Sequence, residues 1–215
     1  MVIYTTEQVS FGCYKISSDS GLAFFIRTDY LKIVSPDRIV ADAVFQDEEE
    51  SDIVDAGLAF ACETKAMEYL GRAEQNRFSL TQKLLNKNYQ KKHVAMALDY
   101  LQGKNYLCDY RFALCWLNSR VINHAEGRIR LESELAARGI GKDDSKKALD
   151  DFFSNNDEQQ LCLRAINKAF RLGVCADEKL FASLIKKGFC YQMIKKMLPL
   201  SDYSLQTQKK GSSFE

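Results

Sequence analysis

The hydrophobic positions of the chain change their spacing near residue 53. Before it, two short apolar segments, FGCYKIS and LAFFIR, are rich in β-branched and aromatic residues and are separated by SDSG. Such segments around a short polar turn predict a β-hairpin, in which Gly21 is free to adopt a positive φ angle. From Ile53 onward, apolar residues recur every three or four positions, which predicts helices. The chain is therefore predicted to be mainly α-helical, with a small N-terminal β-hairpin extension.

Nine helices are predicted between residues 53 and 198, in three groups of three. Pro36 and Pro199 are the two prolines of the chain, so no proline interrupts this region. The first helices of the groups are predicted at 53–73, 109–123 and 157–172. The second helices are predicted at 79–87, 127–138 and 177–187, and the third at 90–103, 142–153 and 190–198.

Two segments before the helices keep alternative interpretations. YLKIVSPDRIV, at residues 30–40, is either a further strand or a short helix, and Pro36 interrupts it. The acidic run QDEEESD, at 46–52, is either a solvated connection or the acidic first turn of a helix, where negative charge is favourable.

A six-residue signature occurs once in each group of helices: LLNKNY at 84–89, LAARGI at 135–140 and LIKKGF at 184–189. Gly, and next to it Asn, is the residue that most readily adopts the left-handed conformation just beyond a helix end. The signature therefore predicts three Schellman stops, at Asn88, Gly139 and Gly188. In such a stop, the following large apolar residue packs back on the leucine, and the preceding basic residue complements the helix dipole.

Helix starts and the repeat period complete the predicted organisation. Ser79 to Gln82 is predicted to be a capping box, and Asp109 and Asp157 are predicted to be N-caps. A period near 50 residues with three helices per unit is typical of tandem helical repeats, here predicted to form an extended curved array. The predicted segments are an N-terminal extension with an acidic connection (1–52), three-helix repeats (53–104, 105–154 and 155–200) and a polar C-terminal tail (201–215).

The lengths of the apolar runs and the pattern of cysteines predict the cellular compartment. No apolar run approaches the ~20 residues of a membrane span. The first twelve residues lack the basic start and apolar core of a secretory signal. Cysteine is odd in number and forms no CxxC pair, which favours reduced thiols in core positions of a cytoplasmic protein. These cysteines are Cys13, Cys62, Cys108, Cys115, Cys162, Cys175 and Cys190.

Charge is divided unevenly along the chain. Residues 1–63 carry 12 acidic and four basic side chains, whereas residues 64–215 carry 17 acidic and 26 basic ones. The helical region is therefore the basic part of the protein. That distribution is compatible with a polyanionic partner and equally with a mixed solvated surface.

No pattern of catalytic, metal-binding or cofactor-binding residues is found in the sequence. There is no GxxxxGK[ST] phosphate loop, and no GxGxxG follows a predicted strand. His93 and His124 have no companions at metal-ligand spacing. Most neighbouring carboxylates, such as Asp143 and Asp144, lie at predicted helix starts, where capping accounts for them. A binding protein without a cofactor is therefore favoured over an enzyme.

Basic residues are the best organised candidates for function. Arg128 and Arg130 begin a predicted helix, where positive charge opposes the dipole, so a partner or simple solvent exposure must account for them. Further basic residues form pairs or fall at helical spacing. These are Lys146 and Lys147, Lys186 and Lys187, Lys195 and Lys196, and the series Arg164, Lys168 and Arg171.

Aromatic residues lie among basic ones near residues 104–112. Tyr106, Tyr110 and Phe112 accompany Lys104 and Arg111. Interleaved aromatic and basic residues are suited to nucleic-acid contacts. Aromatic residues at a helix start more often belong to the core, and we favour the core for Phe112 and for Trp116.

Four segments of the chain match motifs of one known family. LQGKNYLCDYRFA at 101–113, with a leucine, a turn around Tyr-Leu, Asp and then Phe-Ala, resembles a pattern of the RecX family. GRIRLESELAARGI at 127–140 resembles its central motif, and LIKKGFCYQMIKKML at 184–198 resembles its closing motif. FSLTQKLLNKNY, at 78–89, matches the first repeat. The resemblance covers roughly residues 60–200, with Asn88, Asn105 and Cys108 as departures, and with HAE before Gly127 where basic residues are frequent.

The resemblance implies a non-enzymatic regulator of the bacterial recombinase RecA. Such a protein would bind as a monomer along the groove of the RecA–DNA filament. It would inhibit the ATPase, strand-exchange and coprotease activities and thereby modulate recombination, DNA repair and the SOS response. Its partners would be RecA and single- or double-stranded DNA within the filament. We expect the main contacts from Arg128, Arg130, Arg138, Lys146 and Lys147, and secondary contacts from Lys186, Lys187, Lys195 and Lys196.

Two other functions remain compatible with the same residues. A general helical-repeat adaptor for another protein would depend on neither DNA nor a recombinase. A direct DNA-binding protein would bind bare DNA with a steep dependence on salt concentration.

Overall fold

The computed structural model describes residues 1–19, 21, 23–172 and 177–201. The chain divides into two compact units, Met1–Cys108 and Asp109–Glu215. The predicted mainly helical class, with a small antiparallel β-element at the N-terminus, is confirmed. Among the residues described, no helix combines the length and the apolar character needed to cross a bilayer. The predicted division into five segments stays a prediction.

The first unit begins with a three-stranded antiparallel sheet rather than a single hairpin. Its strands, in spatial order, are β1 (Ile3–Ser10), β2 (Cys13–Ser18) and β3 (Phe24–Arg27). The predicted hairpin is the β2–β3 pair, and Gly21 has the expected positive φ, 120°. β1 was not predicted because Ile3 is its one buried residue, so its sequence shows no apolar alternation.

Short 3-10 turns connect the sheet to the helices. They cover Thr28–Tyr30 and Pro36–Arg38. The YLKIVSPDRIV segment is therefore no further strand, and Pro36 is the first residue of the second turn. A proline is favourable there because the first N–H groups of a helix have no acceptor within the helix. The N–H that proline lacks is therefore not needed.

Three helices complete the first unit: α1 (Asp47–Leu70), α2 (Arg77–Leu85) and α3 (Lys91–Gly103). α1 begins at Asp47 rather than at residue 53, so the acidic run is its first turn, as one of the two interpretations expected. The capping box predicted at Ser79 is wrong. Asn76 is the N-cap of α2, and its side-chain oxygen accepts the Ser79 N–H at 2.7 Å.

Two buried carboxylates join the N-terminal extension to α1. Glu63 accepts two hydrogen bonds from the Arg27 guanidinium, at 2.8 and 2.6 Å, and one from the Tyr30 hydroxyl at 2.9 Å. Asp52 accepts the backbone N–H groups of residues 32–34, at 2.8 to 3.1 Å. Because a buried carboxylate is costly unless it is hydrogen-bonded, these contacts fix the extension to the first helix.

The described residues of the second unit form helices and the short turns between them. It contains α4 (Asp109–Asn123), α5 (Arg128–Ala137), α6 (Lys142–Asn155), α7 (Glu158–Arg171), α8 (Asp177–Lys186) and α9 (Tyr191–Met197). Asp157 is the N-cap of α7, as predicted, and accepts the Gln159 N–H at 2.8 Å. Asp109 is itself the first helical residue of α4 rather than the residue before it.

The three helix stops are confirmed. Asn88, Gly139 and Gly188 have φ angles of 65°, 77° and 87°. In each stop, the next residue donates its N–H to the carbonyl of the signature leucine, at 3.2 to 3.3 Å. The three leucines are fully buried. This is the Schellman pattern, in which a left-handed residue lets the chain turn back onto its own helix.

Two glycines bring the third group of helices against the second. The Gly127 N–H, at the start of α5, donates to the Lys187 carbonyl at the end of α8 at 2.9 Å. A methyl group added to Gly127 would lie 2.4 Å from the Gly188 oxygen, and one added to Gly188 would lie 2.3 Å from the Arg130 nitrogen. Both positions require glycine because two backbones meet there.

The cysteines divide between core and surface. Cys13, Cys62 and Cys162 are buried, as predicted, whereas Cys108 is half-buried. Cys115 and Cys190 are exposed, so the prediction of core positions is wrong for these two. Cys175 lies outside the described residues.

The close contact at Gly127 predicts a specific cost for adding a methyl group. Gly127 and Gly141 are both N-cap residues with extended backbones, but a methyl at Gly141 would meet open space. We expect Gly127→Ala to lower the free energy of unfolding by about 1–3 kcal/mol more than Gly141→Ala, because overpacking forces backbone shifts. Urea denaturation of both variants measures the difference, and equal losses would contradict the close packing.

Thiol reactivity should follow burial. Burial raises the pKa of Cys62 to about 12 and that of Cys162 to about 11, which removes the reactive thiolate as well as access to it. We expect iodoacetamide at pH 8 to alkylate Cys115 and Cys190 in the native protein within minutes. Cys62 and Cys162 should be modified only after addition of urea. Peptide mass spectrometry identifies the modified sites, and rapid native modification of Cys62 or Cys162 would contradict the described cores.

Candidate partner-binding surface

Arg128 begins α5, and carboxylates of the same chain surround it. Its backbone N–H donates to the Glu158 carboxylate at 2.8 Å, and its guanidinium donates to Asp150 at 2.7 Å. The guanidinium also lies 5.2 Å from the centre of the Phe153 ring. Glu158 supplies the negative charge that a helix N-terminus favours. The positive charge at this helix start therefore has an internal explanation and does not by itself indicate an external partner.

The other two predicted arginines share one acceptor. Arg130 and Arg138 pair with the two oxygens of Glu134, at 2.5 and 2.7 Å. The Arg138 hydrogen bond, together with the charge of Arg130, holds the pKa of Glu134 below its ordinary value. Since each arginine is four residues from Glu134, one helix face carries this network.

Trp116 lies between two guanidinium groups. Arg138 lies 4.2 Å and Arg120 lies 5.0 Å from its ring centre, and Arg120 pairs in turn with Glu126 at 2.5 Å. Trp116 is partly buried against the core of the second unit, as is Phe112. This confirms the favoured assignment of both aromatic residues to the core rather than to a stacking platform.

The six predicted lysines differ from the arginines. Lys146 and Lys147 lie on α6, Lys186 and Lys187 lie at the end of α8, and Lys195 and Lys196 lie in the last turn of α9. All except the half-buried Lys187 are exposed. In the part of the chain that the structure describes, none of the six forms an ion pair. Lys147 lies 4.4 Å from the Tyr110 ring centre.

Positive charge is concentrated in the third group of helices. Residues 157–201 contain eight basic and four acidic side chains. Burial lowers the pKa of Lys187, and the nearby charge of Lys168 lowers it further, against the opposing effect of Glu126. An open groove of about 680 Å³ runs along α7, lined in part by Arg164, Lys168 and Arg171.

Arg164 has a structural contact as well. Its guanidinium donates to the carbonyls of Val121 and His124, at 2.5 and 2.7 Å, where the chain leaves α4. Lys168 is exposed and, among the described residues, has no carboxylate partner. The sequence showed the helical spacing of this series but not which of its members serve the fold.

The two histidines have different surroundings. His93 is buried, and its Nε2 lies 2.7 Å from Asp55, which also accepts a hydrogen bond from Lys92. Burial alone would raise the pKa of Asp55, but these two hydrogen bonds hold it below its ordinary value. His124 is exposed. Across the described residues, no group of three or more His, Cys, Asp or Glu side chains could hold a metal ion.

Comparison with curated proteins gives consistent names, although no family model matches the chain. A protein of Treponema pallidum (strain Nichols) is 32% identical over 152 residues, covering 71% of this chain and 92% of the relative. A protein of Chlorobium limicola is 30% identical over 138 residues, covering 62% of this chain and 84% of the relative. One of Clostridium botulinum is 22% identical over 182 residues, covering 80% of this chain and 85% of the relative. Each of the three is named regulatory protein RecX.

Solved structures agree with the fold. A crystal structure of a regulatory protein RecX superposes with a TM-score of 0.73 at 21% identity, covering 92% of this chain and 98% of that one. The structure of RecX from Lactobacillus salivarius has a TM-score of 0.59 at 18% identity, covering 69% of this chain and 97% of that one.

The different contacts of arginine and lysine predict different effects on stability. Arg138→Ala removes an ion pair with the mostly buried Glu134 and the contact with Trp116, so we expect a loss of about 1–2 kcal/mol in the free energy of unfolding. Lys146→Ala should change it by less than about 0.5 kcal/mol, because Lys146 is exposed and pairs with no described carboxylate. Urea denaturation compares the two, and equal effects would contradict the assignment of Arg138 to the fold.

Proposed function

The chain belongs to the RecX family of regulatory proteins, and on that premise we propose that it is a non-enzymatic regulator of the recombinase RecA. It binds the RecA–DNA filament along its groove, as a monomer in the bacterial cytoplasm. There it inhibits the ATPase, recombinase and coprotease activities of the filament. In this way it modulates recombination, DNA repair and the SOS response.

The observation that carries the proposal is a set of exposed lysines that have no carboxylate partner among the described residues. A filament offers DNA phosphates and acidic side chains, and exposed lysines gain counterion release and hydrogen bonds from them. Five exposed lysines lie on α6, α8 and α9 of one compact unit: Lys146, Lys147, Lys186, Lys195 and Lys196. Lys187, half-buried near Lys168, adds positive potential to the same unit.

The three arginines have a supporting role in this proposal. Arg128, Arg130 and Arg138 are held by Asp150 and Glu134. To contact a phosphate, each would first have to leave a carboxylate or share its guanidinium with it, which reduces the gain. Arg128 and Arg138 also fix aromatic rings. We therefore assign the larger part of the binding free energy to the lysines.

Regulation follows from binding alone. Wherever the regulator is bound in the groove, it blocks the access of other substrates to that part of the filament. If it binds one state of the filament more tightly than another, it shifts the population of protomers toward the favoured state by that difference in affinity. No chemical step on the regulator is required.

A second candidate function is direct binding to DNA. The observation that favours it is the cationic groove along α7, where Arg164, Lys168 and Arg171 follow one helix face. This function predicts equal affinity for bare DNA and for the filament, with a steep dependence on salt.

The first test is inhibition of ATP hydrolysis by RecA on single-stranded DNA. We expect the wild-type protein to inhibit at near-stoichiometric concentration. Lys195→Ala with Lys196→Ala should raise the half-inhibitory concentration roughly tenfold, since each lost phosphate contact weakens binding. Lys87→Ala with Lys91→Ala removes the same charge from exposed positions of the first unit and should change it less than about twofold.

The outcomes separate the proposals. Absence of both inhibition and filament binding by the wild-type protein would contradict the regulator function. If the two double variants raise the half-inhibitory concentration equally, the regulator function stands, but the assignment of the binding surface to the second unit is contradicted. Equal affinities for bare DNA and for the filament would favour the second candidate.

A further inference from the structure

A large aromatic side chain occupies the tip of the β1–β2 hairpin. Phe11 is 98% exposed, and Val9 beside it is 56% exposed. Tight turns usually carry Gly, Asn, Asp or Ser, because these residues suit the backbone and the solvent. A phenylalanine there forgoes the burial that stabilises most aromatic side chains. Single exposed apolar residues are common, so exposure alone assigns no role.

The backbone of the tip is hydrogen-bonded to the rest of the first unit. Gly12 has a φ of 71°, which lets the turn close between Ser10 and Cys13. The Gly12 carbonyl accepts the backbone N–H of Thr28 at 2.8 Å and the Thr28 hydroxyl at 3.3 Å. These bonds hold the backbone of the turn that carries Phe11. A backbone that is already held loses less entropy when the turn docks than a flexible loop would.

The charges around the tip occur in opposite pairs. Glu7 lies opposite Lys15 in the β1–β2 register. The Asp29 carboxylate, which lies close to Gly12, is 3.9 Å from the Lys104 amine. Among the described residues, no excess of positive charge therefore lies beside Phe11 to neutralise a phosphate. Proteins that insert apolar side chains between bases supply such cations, so the tip is better suited to an apolar pocket on a protein.

We propose that Phe11 is an anchor that inserts into an apolar pocket on the protein component of the filament, a recombinase subunit rather than the DNA. The inference rests on the proposed function and adds a second, uncharged contact to the lysines. Phe11 supplies apolar area and Val9 widens it, whereas the charged pairs around them remain solvated. Aromatic anchors in fully desolvated pockets contribute a large share of binding free energy at protein interfaces.

The experiment compares two exposed phenylalanines of the same unit. Binding to a preformed RecA filament on single-stranded DNA is measured by biolayer interferometry for the wild-type protein, Phe11→Ala and Phe78→Ala. Phe78, on α2, is 51% exposed and serves as the matched control. We expect Phe11→Ala to raise Kd at least tenfold and Phe78→Ala to raise it less than twofold. The urea midpoint of Phe11→Ala should equal that of the wild type, and Phe11→Leu should restore part of the affinity.

Four outcomes would overturn the inference. Filament binding by Phe11→Ala as tight as that of the wild type would remove the anchor and leave the regulator function intact. If the wild-type protein does not bind the filament, both the anchor and the regulator function are contradicted. Weakened binding of Phe11→Ala to a bare single-stranded oligonucleotide would make the ring a contact to bases. A wild-type dimer in light scattering that Phe11→Ala converts to a monomer would make the pocket part of a second copy of the chain.

Discussion

The contact between Gly127 and Gly188 is the constraint on which the second unit depends. A backbone hydrogen bond of 2.9 Å joins the start of α5 to the end of α8, and no side chain fits between them. Glu158, the first residue of α7, reaches the same helix start and accepts the Arg128 N–H. Three helices from two groups therefore meet at one point, and their relative positions are fixed by backbone atoms rather than by side chains that could repack.

Basic residues of similar charge have different surroundings in this unit. At the packed start of α5, Arg128 pairs with Asp150 and Arg130 pairs with Glu134. The planar guanidinium suits such paired and stacked contacts. Lysines on α6, α8 and α9 point to solvent and pair with no described carboxylate. In the second unit, these arginines therefore make contacts within the chain, whereas these lysines keep charges that our proposal assigns to a partner.

Local features could be predicted from sequence, whereas features that depend on tertiary contacts could not. The helix stops at Asn88, Gly139 and Gly188 were predictable because a stop is specified by residues within one turn. β1 could not be found, since its pairing with β2 rather than its own apolar pattern makes it a strand. The pairing of Arg128 with Asp150, 22 residues away, left no signal in the spacing. The hydrogen bond that holds the turn beside Phe11 depends likewise on a distant residue, Thr28.

The central proposal is that lysines of the second unit, more than its arginines, contact the filament. Acetylation footprinting with mass spectrometry measures it directly, by comparing each lysine in the free protein and on a RecA filament. The account predicts that Lys146, Lys186, Lys195 and Lys196 become protected at least severalfold, whereas Lys91 of the first unit reacts equally in both states. Unchanged reactivity of those four lysines on a filament that demonstrably binds the protein would contradict it.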